Sequence, residues 1–529
     1  IPSRYRGVLK GYGIHDTGVD IIGGGRGQYI RISNDPPMNV PITHPTWRGR
    51  LYGEMNWLDM PYGFQIQSKV SALSDKNFLE QFFLQEWQNN LNQETYLYAK
   101  QQQGNWAWTG LVEPRIRSWI TQTEWYPKGD GYLLGMKFFD LFTYNGHASA
   151  GYARLRTTDQ PSFAFEPTDV NTDTGRLDLM QDISLPLPLG PTKITPYGVV
   201  DLTYYSQDID GNGTGRFYGA GGLRATMPLS RLYQKAYSDL FNVDGIYHKI
   251  VFSANYYNAY TNVSHLQLPQ LDRLNDDASD QAIRDIRIWQ PTYNPSNALA
   301  LTNSPLYDPQ VYAIRQLVLD RVDSLDNIEV VQLGVRQRWQ TKRGFPGRQH
   351  IVDWMTLNLT GSLFPRSDRD NFGTTLAFLE YDWVWNIGDR TSLVSNGWVD
   401  PITVDGTSGP RVLNVGGNLS RPDGTNFYLG YRQIDPLQSK AVVASVSYIF
   451  SKKYSMNVSG SYDFGVNNQV TSFTLSRTGK DLRVNFGLSY NSILNTTGVI
   501  FEVVPNLIPG GIRGPGALGM LQNNDLVGR

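Results

Sequence analysis

Residues 454–462 read YSMNVSGSY, and this stretch decides the fold. Tyr454, Met456, Val458, Gly460 and Tyr462 share one parity, and Ser455, Asn457, Ser459 and Ser461 share the other. Successive side chains of a strand point to opposite faces, so one face is apolar and the other is a row of small polar groups. Just upstream, Ala444, Val446, Tyr448 and Phe450 alternate with Ser445 and Ser447. Only Lys452 and Lys453 separate the two runs, a spacing that suits a tight hairpin. Downstream, Leu482, Val484, Phe486, Leu488 and Tyr490 alternate with Arg483, Asn485, Gly487 and Ser489.

The same period recurs along the chain. Phe64, Ile66 and Val70 oppose Gln65, Gln67 and Lys69, which reads as a lipid face against a lumen face. Val331, Leu333, Val335 and Trp339 oppose Gln332, Arg336 and Arg338, and Met355, Leu357 and Leu359 oppose Thr356, Asn358 and Thr360. Aromatic residues near strand ends, Tyr454, Tyr462, Tyr490 and Trp125 among them, suit interfacial girdles. Soluble sandwiches and propellers use strands of about 5–6 residues, whereas these runs reach the roughly 9–11 that a tilted membrane strand needs. The reading is all-β: a large antiparallel transmembrane β-barrel of roughly 18–24 strands, too wide for side chains to fill its lumen.

Composition agrees. Of 529 residues, 12% are aromatic and only 18% charged, yet mean hydropathy is -0.37. An amphipathic wall between lipid and a wet lumen reconciles these values. No run of about 18 apolar residues offers a membrane helix. The net charge of -1 gives nucleic acid no electrostatic footprint. With no cysteine there is no disulfide or thiolate chemistry within the chain. The chain starts at Ile1 without Met, so an export signal is expected upstream.

Two stretches break the strand rhythm. In SRLYQKAYSDLF, residues 230–241, Leu232, Tyr233, Ala236, Tyr237, Leu240 and Phe241 form a stripe at helical spacing, which predicts a short amphipathic helix on the rim. Residues 265–327 are rich in Asp and Pro and predict a long loop, an extracellular cap or a plug folded over the lumen. The barrel is expected over 1–505, with an extramembranous tail at 506–529.

Motifs for bond chemistry are weak, and the chain is read as no enzyme, with no cofactor. The histidines His15, His44, His147, His248, His265 and His350 show no metal-ligand spacing. Asp208, Asp210, Asn212 and Gly213 begin like a calcium loop, but its twelfth position is Gly219 rather than Glu. Gly23, Gly24, Gly25 and Gly27 lack the ending of a phosphate loop.

Residue-level likeness goes further. Arg48, Gly49, Arg50 and Leu51, followed by YGFQIQSKVSALSDKNFLEQFF at 62–83, resemble the LPS-assembly protein LptD family, also called organic solvent tolerance protein. Ser74, Asp75, Phe78, Leu79 and Phe82 match that family's strand ending in Ser-Asp and the aromatic, apolar, aromatic run after it. Residues 6–26 look like the preceding hairpin, and residues 93–108, 121–127 and 240–252 look like the family's planctomycete-type branch. The resemblance covers the barrel portion, and in detail about the first half of the chain.

The resemblance implies an integral protein of the bacterial outer membrane that inserts lipopolysaccharide into the outer leaflet. It implies an N-terminal jellyroll fed by a periplasmic bridge, an LptE-like lipoprotein plug, and release through a seam between first and last strands. By this likeness the jellyroll and the first barrel strands would precede Ile1, and the family's jellyroll–barrel disulfides have no counterpart here. The seam strand expected in this chain is the last, with Val499, Phe501 and Val503 on one face and Glu502 on the other. The alternative is a large outer-membrane channel or nutrient transporter.

Overall fold

In the computed structural model, residues 5–505 are described, except 19, 21–43, 84–85, 87–92, 158–167, 169, 273–321, 346, 372–374, 378, 402–408, 435–438, 466 and 493–495. The glycine cluster at 23–27, most of the long loop and the tail at 506–529 lie outside the described residues.

The chain is a transmembrane β-barrel built as one antiparallel sheet of 23 strands. The first eight are β1 Tyr5–His15, β2 Trp47–Trp57, β3 Phe64–Leu73, β4 Tyr96–Gln103, β5 Trp106–Glu113, β6 Gln122–Phe138, β7 Phe142–Arg156 and β8 Thr172–Ser184. Then come β9 Leu187–Leu189, β10 Thr192–Tyr205, β11 Thr214–Ser238, β12 Val243–Thr261, β13 Ile328–Arg343, β14 His350–Leu363, β15 Leu379–Asn386 and β16 Thr391–Asp400. The last are β17 Gly409–Ser420, β18 Asn426–Ile434, β19 Ser439–Ile449, β20 Tyr454–Asp463, β21 Asn468–Thr478, β22 Leu482–Asn491 and β23 Thr496–Pro505. Each strand pairs with its sequence neighbour, except that β8 and β9 both pair with β10. They form one interrupted row.

The two ends differ. One end carries tight connections, such as Gly104–Asn105 and the turn at 139–141; Lys452 and Lys453 make another, closed by two backbone hydrogen bonds that Ser451 and Tyr454 exchange. The other end carries the long connections 16–46, 74–95 and 262–327. Membrane barrels place short turns in the periplasm and longer loops outside. Both Tyr5 and Pro505 then lie at the periplasmic end.

The polarity of the two faces is the reverse of a soluble protein. On β10, Val200, Leu202 and Tyr204 are 42%, 49% and 50% exposed, while Asp201, Thr203 and Tyr205 are buried. Cross-strand register extends the outer row: Leu202 faces Leu179 of β8, and Tyr204 faces Leu177. The same holds from Leu223 and Tyr256 to Phe473 and Leu488. These rows meet lipid, and the buried polar rows meet the lumen.

Two sequence expectations are corrected. Residues 230–238 are not a helix but the end of β11, paired with 243–249 of β12 as far as Tyr233 and again at Tyr237 and Ser238. The hairpin outruns the membrane, since β11 has 25 residues. Nearly all of the β11 side of its tip is exposed on both faces, so no burial enforces a helical stripe, and the cross-strand ladder supplies the backbone bonds that an isolated short helix would lack. Trp125 is not a girdle residue. It points inward, 3% exposed, beneath Leu268 and Leu271, where β6 bulges between Trp125 and Lys128.

A charge on the outer face should be costly. Leu202→Arg is expected to destabilise the bilayer-inserted barrel by about 2–4 kcal/mol if it sits near the midplane. Gln332→Ala on the lumen face of β13 should cost far less. Denaturant unfolding from vesicles measures both, and equal costs would contradict the facing assigned here.

Candidate functional site

The edges of the sheet are β1 and β23. Among the described residues, β1 is laddered only to β2 and β23 only to β22. On β23, Val499 and Phe501 are 67% and 70% exposed, well above their partners Leu488 and Phe486 at 40% and 38%. Glu502 stands opposite Asn485, a buried residue on the inner row of β22, while Phe501 stands opposite the outward Phe486. Register thus places Val499, Phe501 and Val503 on the lipid side.

Beside β1 the family-like motif builds a brace. Arg48 of β2 is fully desolvated within three carboxylates. Its Nη1 donates to Asp16 Oδ2 at 2.8 Å and Asp20 Oδ1 at 2.5 Å, and its Nη2 donates to Asp75 Oδ1 at 2.8 Å. Its Nε reaches Asp75 Oδ2 at 3.0 Å, so the Asp75 contact is a fork. Ser74 Oγ accepts from the Gly49 amide at 3.0 Å and donates to Asp75 at 2.7 Å. Asp75 also accepts from the amide of Asn77, the residue before α1, Phe78–Phe82, in which Phe78 and Leu79 are fully buried.

The Arg48 guanidinium lies 5.0 Å over the Phe82 ring, and Tyr12 of β1 packs 5.8 Å from Phe78. Glu86 pairs with Lys10 of β1 at 3.2 Å and Arg50 of β2 at 2.9 Å. A helix of five residues has no stability of its own. It exists because aromatic packing and the Arg48 cage pin it across β1, β2 and β3.

His44 joins the cage, 3.8 Å from Asp16 and 3.9 Å from Asp20, a proximity that sequence spacing does not reveal. The Gly18 amide and the Arg48 guanidinium hold the Asp16 carboxyl below its usual range. The one three-ligand group among the described residues, Asp16, Asp20 and His44, is thus already satisfied by a guanidinium.

Gln65, Gln67 and Lys69 do not converge. They lie along the inner face of β3, opposite Lys100, Tyr98 and Tyr96 of β4, and the Lys69 ammonium is 5.9 Å from the Tyr52 ring. Asp208, for its part, closes a turn on itself, accepting from the amides of Asp210 and Asn212 and from the Thr214 hydroxyl.

A second centre was invisible in the sequence. Both roots of the 262–327 connection turn into the lumen. Arg176 of β8 donates from Nη1 to Asp272 at 2.6 Å and to both oxygens of Asp323 at 2.9 Å. Tyr205 donates to Asp323 at 2.7 Å, and the amides of Leu271 and Asp272 donate to its other oxygen. Arg216 of β11 holds the Val322 carbonyl at 2.7 Å, and Lys128 of β6 holds Asp272 at 3.0 Å. Apolar contacts of Leu268 and Leu271 with Trp125, Leu155 and Tyr205 cover the ions.

Burial raises the Asp272 carboxyl, but Arg176 and Lys128 outweigh it and hold the group low. Burial likewise opposes ionisation of Asp326, yet the His265 ring at 2.6 Å, backbone amides and Ser264 hold it low too.

No family model matches the chain, and no match is found among curated proteins. Solved structures that align with it include a mutant porin of Rh. blastica, 10% identical over 69% of this chain and 98% of that one, with a TM-score of 0.23. The siderophore receptor PirA from Pseudomonas aeruginosa aligns at 8% identity over 95% of this chain and 73% of its own, with a TM-score of 0.29. At these values the likeness carries no further argument.

Two outcomes follow for the loop roots. Asp323→Asn leaves Arg176 short of a buried counter-charge, at a local cost of about 3 kcal/mol, or about a hundredfold in the opening equilibrium. Added protease should then cut near 262–272 or 322–327 much faster while circular dichroism shows the sheet intact. Unchanged cleavage would mean that the Arg176 cage does not hold the roots.

The pH dependence has a definite sign. A carboxyl whose folded value is depressed stabilises fully above its unfolded value of about 3.9, and the contribution disappears as pH falls through the folded value. Asp272 and Asp326 should keep the roots docked from neutral pH down to about pH 4, with release only in stronger acid. Hydrogen exchange at 264–272 reads this, and release already near neutral pH would contradict it.

Proposed function

We propose that the chain is an outer-membrane translocon that inserts lipopolysaccharide into the outer leaflet, passing the acyl chains between β1 and β23, with β1 taking the place that the family likeness gave to a strand before Ile1. The observation that carries the reading is the pair of edge strands, each laddered on one side only among the described residues. The likeness of the β1–β3 region to the LPS-assembly family points the same way.

The energetic problem is to move a polar head past hydrocarbon while the tails remain in lipid. A polar lumen takes the head and a parting strand pair frees the tails. Each backbone group left unpaired in lipid costs several kcal/mol, so the parting pair must be weakly bonded to open at all. The Arg48 brace keeps β1, β2 and β3 together as a rigid unit, so that opening is confined to the edge. No bond is made or broken, and the protein acts as a conduit rather than an enzyme. An LptE-like lipoprotein in the lumen and a periplasmic bridge docked through a jellyroll belong to the same proposal.

A large channel or nutrient transporter is the second reading, favoured by the polar lumen with an inward-turned loop. Cysteine pairs decide between them against a cysteine-free background. One cysteine is placed within 7–11 of β1 and the other within 499–503 of β23. Disulfide formation should stop delivery of lipopolysaccharide to the cell surface, and reduction should restore it. Delivery at the normal rate through a fully crosslinked barrel would end the seam proposal. High steady conductance in planar bilayers would then favour the channel.

A further inference from the structure

Beneath the loop roots, the lumen wall of β6–β13 encloses a cavity of about 660 Å³, within the usual range of small-molecule sites. We propose that it is a binding site for a neutral saccharide. The proposal does not depend on where cargo leaves the barrel.

Tyr197 of β10, only 7% exposed, is the anchor that sets the half-buried Tyr257 at the cavity wall. Its register partner is Gly222, where a Cβ would overlap the Tyr197 ring, so the ring lies down against β11. Tyr257 lies nearly parallel to it, at 16° and 6.2 Å, and is tied to Tyr218 by a hydroxyl–hydroxyl hydrogen bond. Tyr197 donates to Asn255 at 2.8 Å, which fixes the ring in its plane. Across the cavity, Tyr132 stacks on His147 at 4.7 Å. These are rigid aromatic surfaces in a wall that could have been lined with serine and threonine.

Charge selects the ligand. The Arg224 guanidinium sits 4.1 Å over the Tyr197 ring, which places a cation in the aromatic cluster and argues against a cationic guest. Asp182 and Asp201 line the same cavity and argue against an anionic one. Asp201 is fully buried, and its Oδ2 accepts no hydrogen bond among the described residues, standing 3.7 Å from Arg216 Nη2. Asp182 accepts from Asn145 at 3.1 Å, and Asn255 adds an amide. The wall therefore offers donors and acceptors of both signs around aromatic surfaces. A sugar ring complements this set, since its C–H faces pack on aromatics and its hydroxyls both donate and accept.

The test is calorimetric titration of the purified full chain in an amine-oxide detergent, because a maltoside detergent would compete. The probes are maltose and lactose, with choline and inorganic phosphate as charged comparisons. Saccharide binding is expected, weakened about tenfold in Tyr197→Ala and in Asp182→Asn, and largely kept in Tyr197→Phe. Circular dichroism checks the sheet, and if Tyr197→Ala fails to fold, Asp182→Asn gives the answer.

Three results would overturn the proposal: no disaccharide heat up to about 10 mM, binding of choline or phosphate in its place, or saccharide binding that ignores both weakening substitutions. The titration is separable from export. A locked seam stops delivery but leaves the heat, and loss of the heat leaves the crosslinking result as it stands.

Discussion

Hydrocarbon offers no hydrogen-bond partner to a backbone, and this one constraint organises the molecule. Every strand that meets lipid must give its N–H and C=O groups to neighbours, which forces an unbroken antiparallel ladder of sequence neighbours. Once the ladder exists, period-2 alternation sorts side chains with no further instruction. Val200, Leu202 and Tyr204 go out, and Asp201, Thr203 and Tyr205 go in. The same constraint makes an edge expensive, and the proposed seam falls at β1 and β23, each laddered on one side among the described residues.

The lumen obeys a different rule. It can hold charge, provided each charge is answered. Arg48 and Arg176 are each caged by carboxylates from connections that fold inward at the loop end. Buried ion pairs of this kind contribute little net stability, because desolvation offsets most of the attraction. Their effect is positional. One cage fixes α1 against β1–β3, and the other fixes both ends of a long connection against β6–β11. The first stiffens the ground beside the edge strand, and the second sets the roof over the cavity where Tyr197 lies.

The barrel could be read from the sequence because alternation is a local property. YSMNVSGSY shows its two faces within nine residues, and β20 forms there with Lys452 and Lys453 as the turn. Reading failed where burial stopped enforcing the period. The β11 side of the β11–β12 tip is exposed on nearly every face, so its chance helical stripe meant nothing. Trp125 was misplaced for a related reason, since a bulge and an incoming loop changed what its face meets. The Arg176 centre could not be found at all: Asp272 and Asp323 lie 96 and 147 residues from it, and only the folded-in loop roots bring them together. Of the motif at 74–82, the residues were visible, but that Asp75 answers Arg48 was not.

The central claim is that each strand is lipid-facing on one parity and water-facing on the other. Single cysteines along β22, placed one at a time in the bilayer-reconstituted chain, test it most directly with a membrane-impermeant thiol reagent. On the inner parity, the accessible positions 483 and 489 should react, and positions 486, 488 and 490 should stay protected. Uniform reactivity along the strand, or the opposite alternation, would contradict the account.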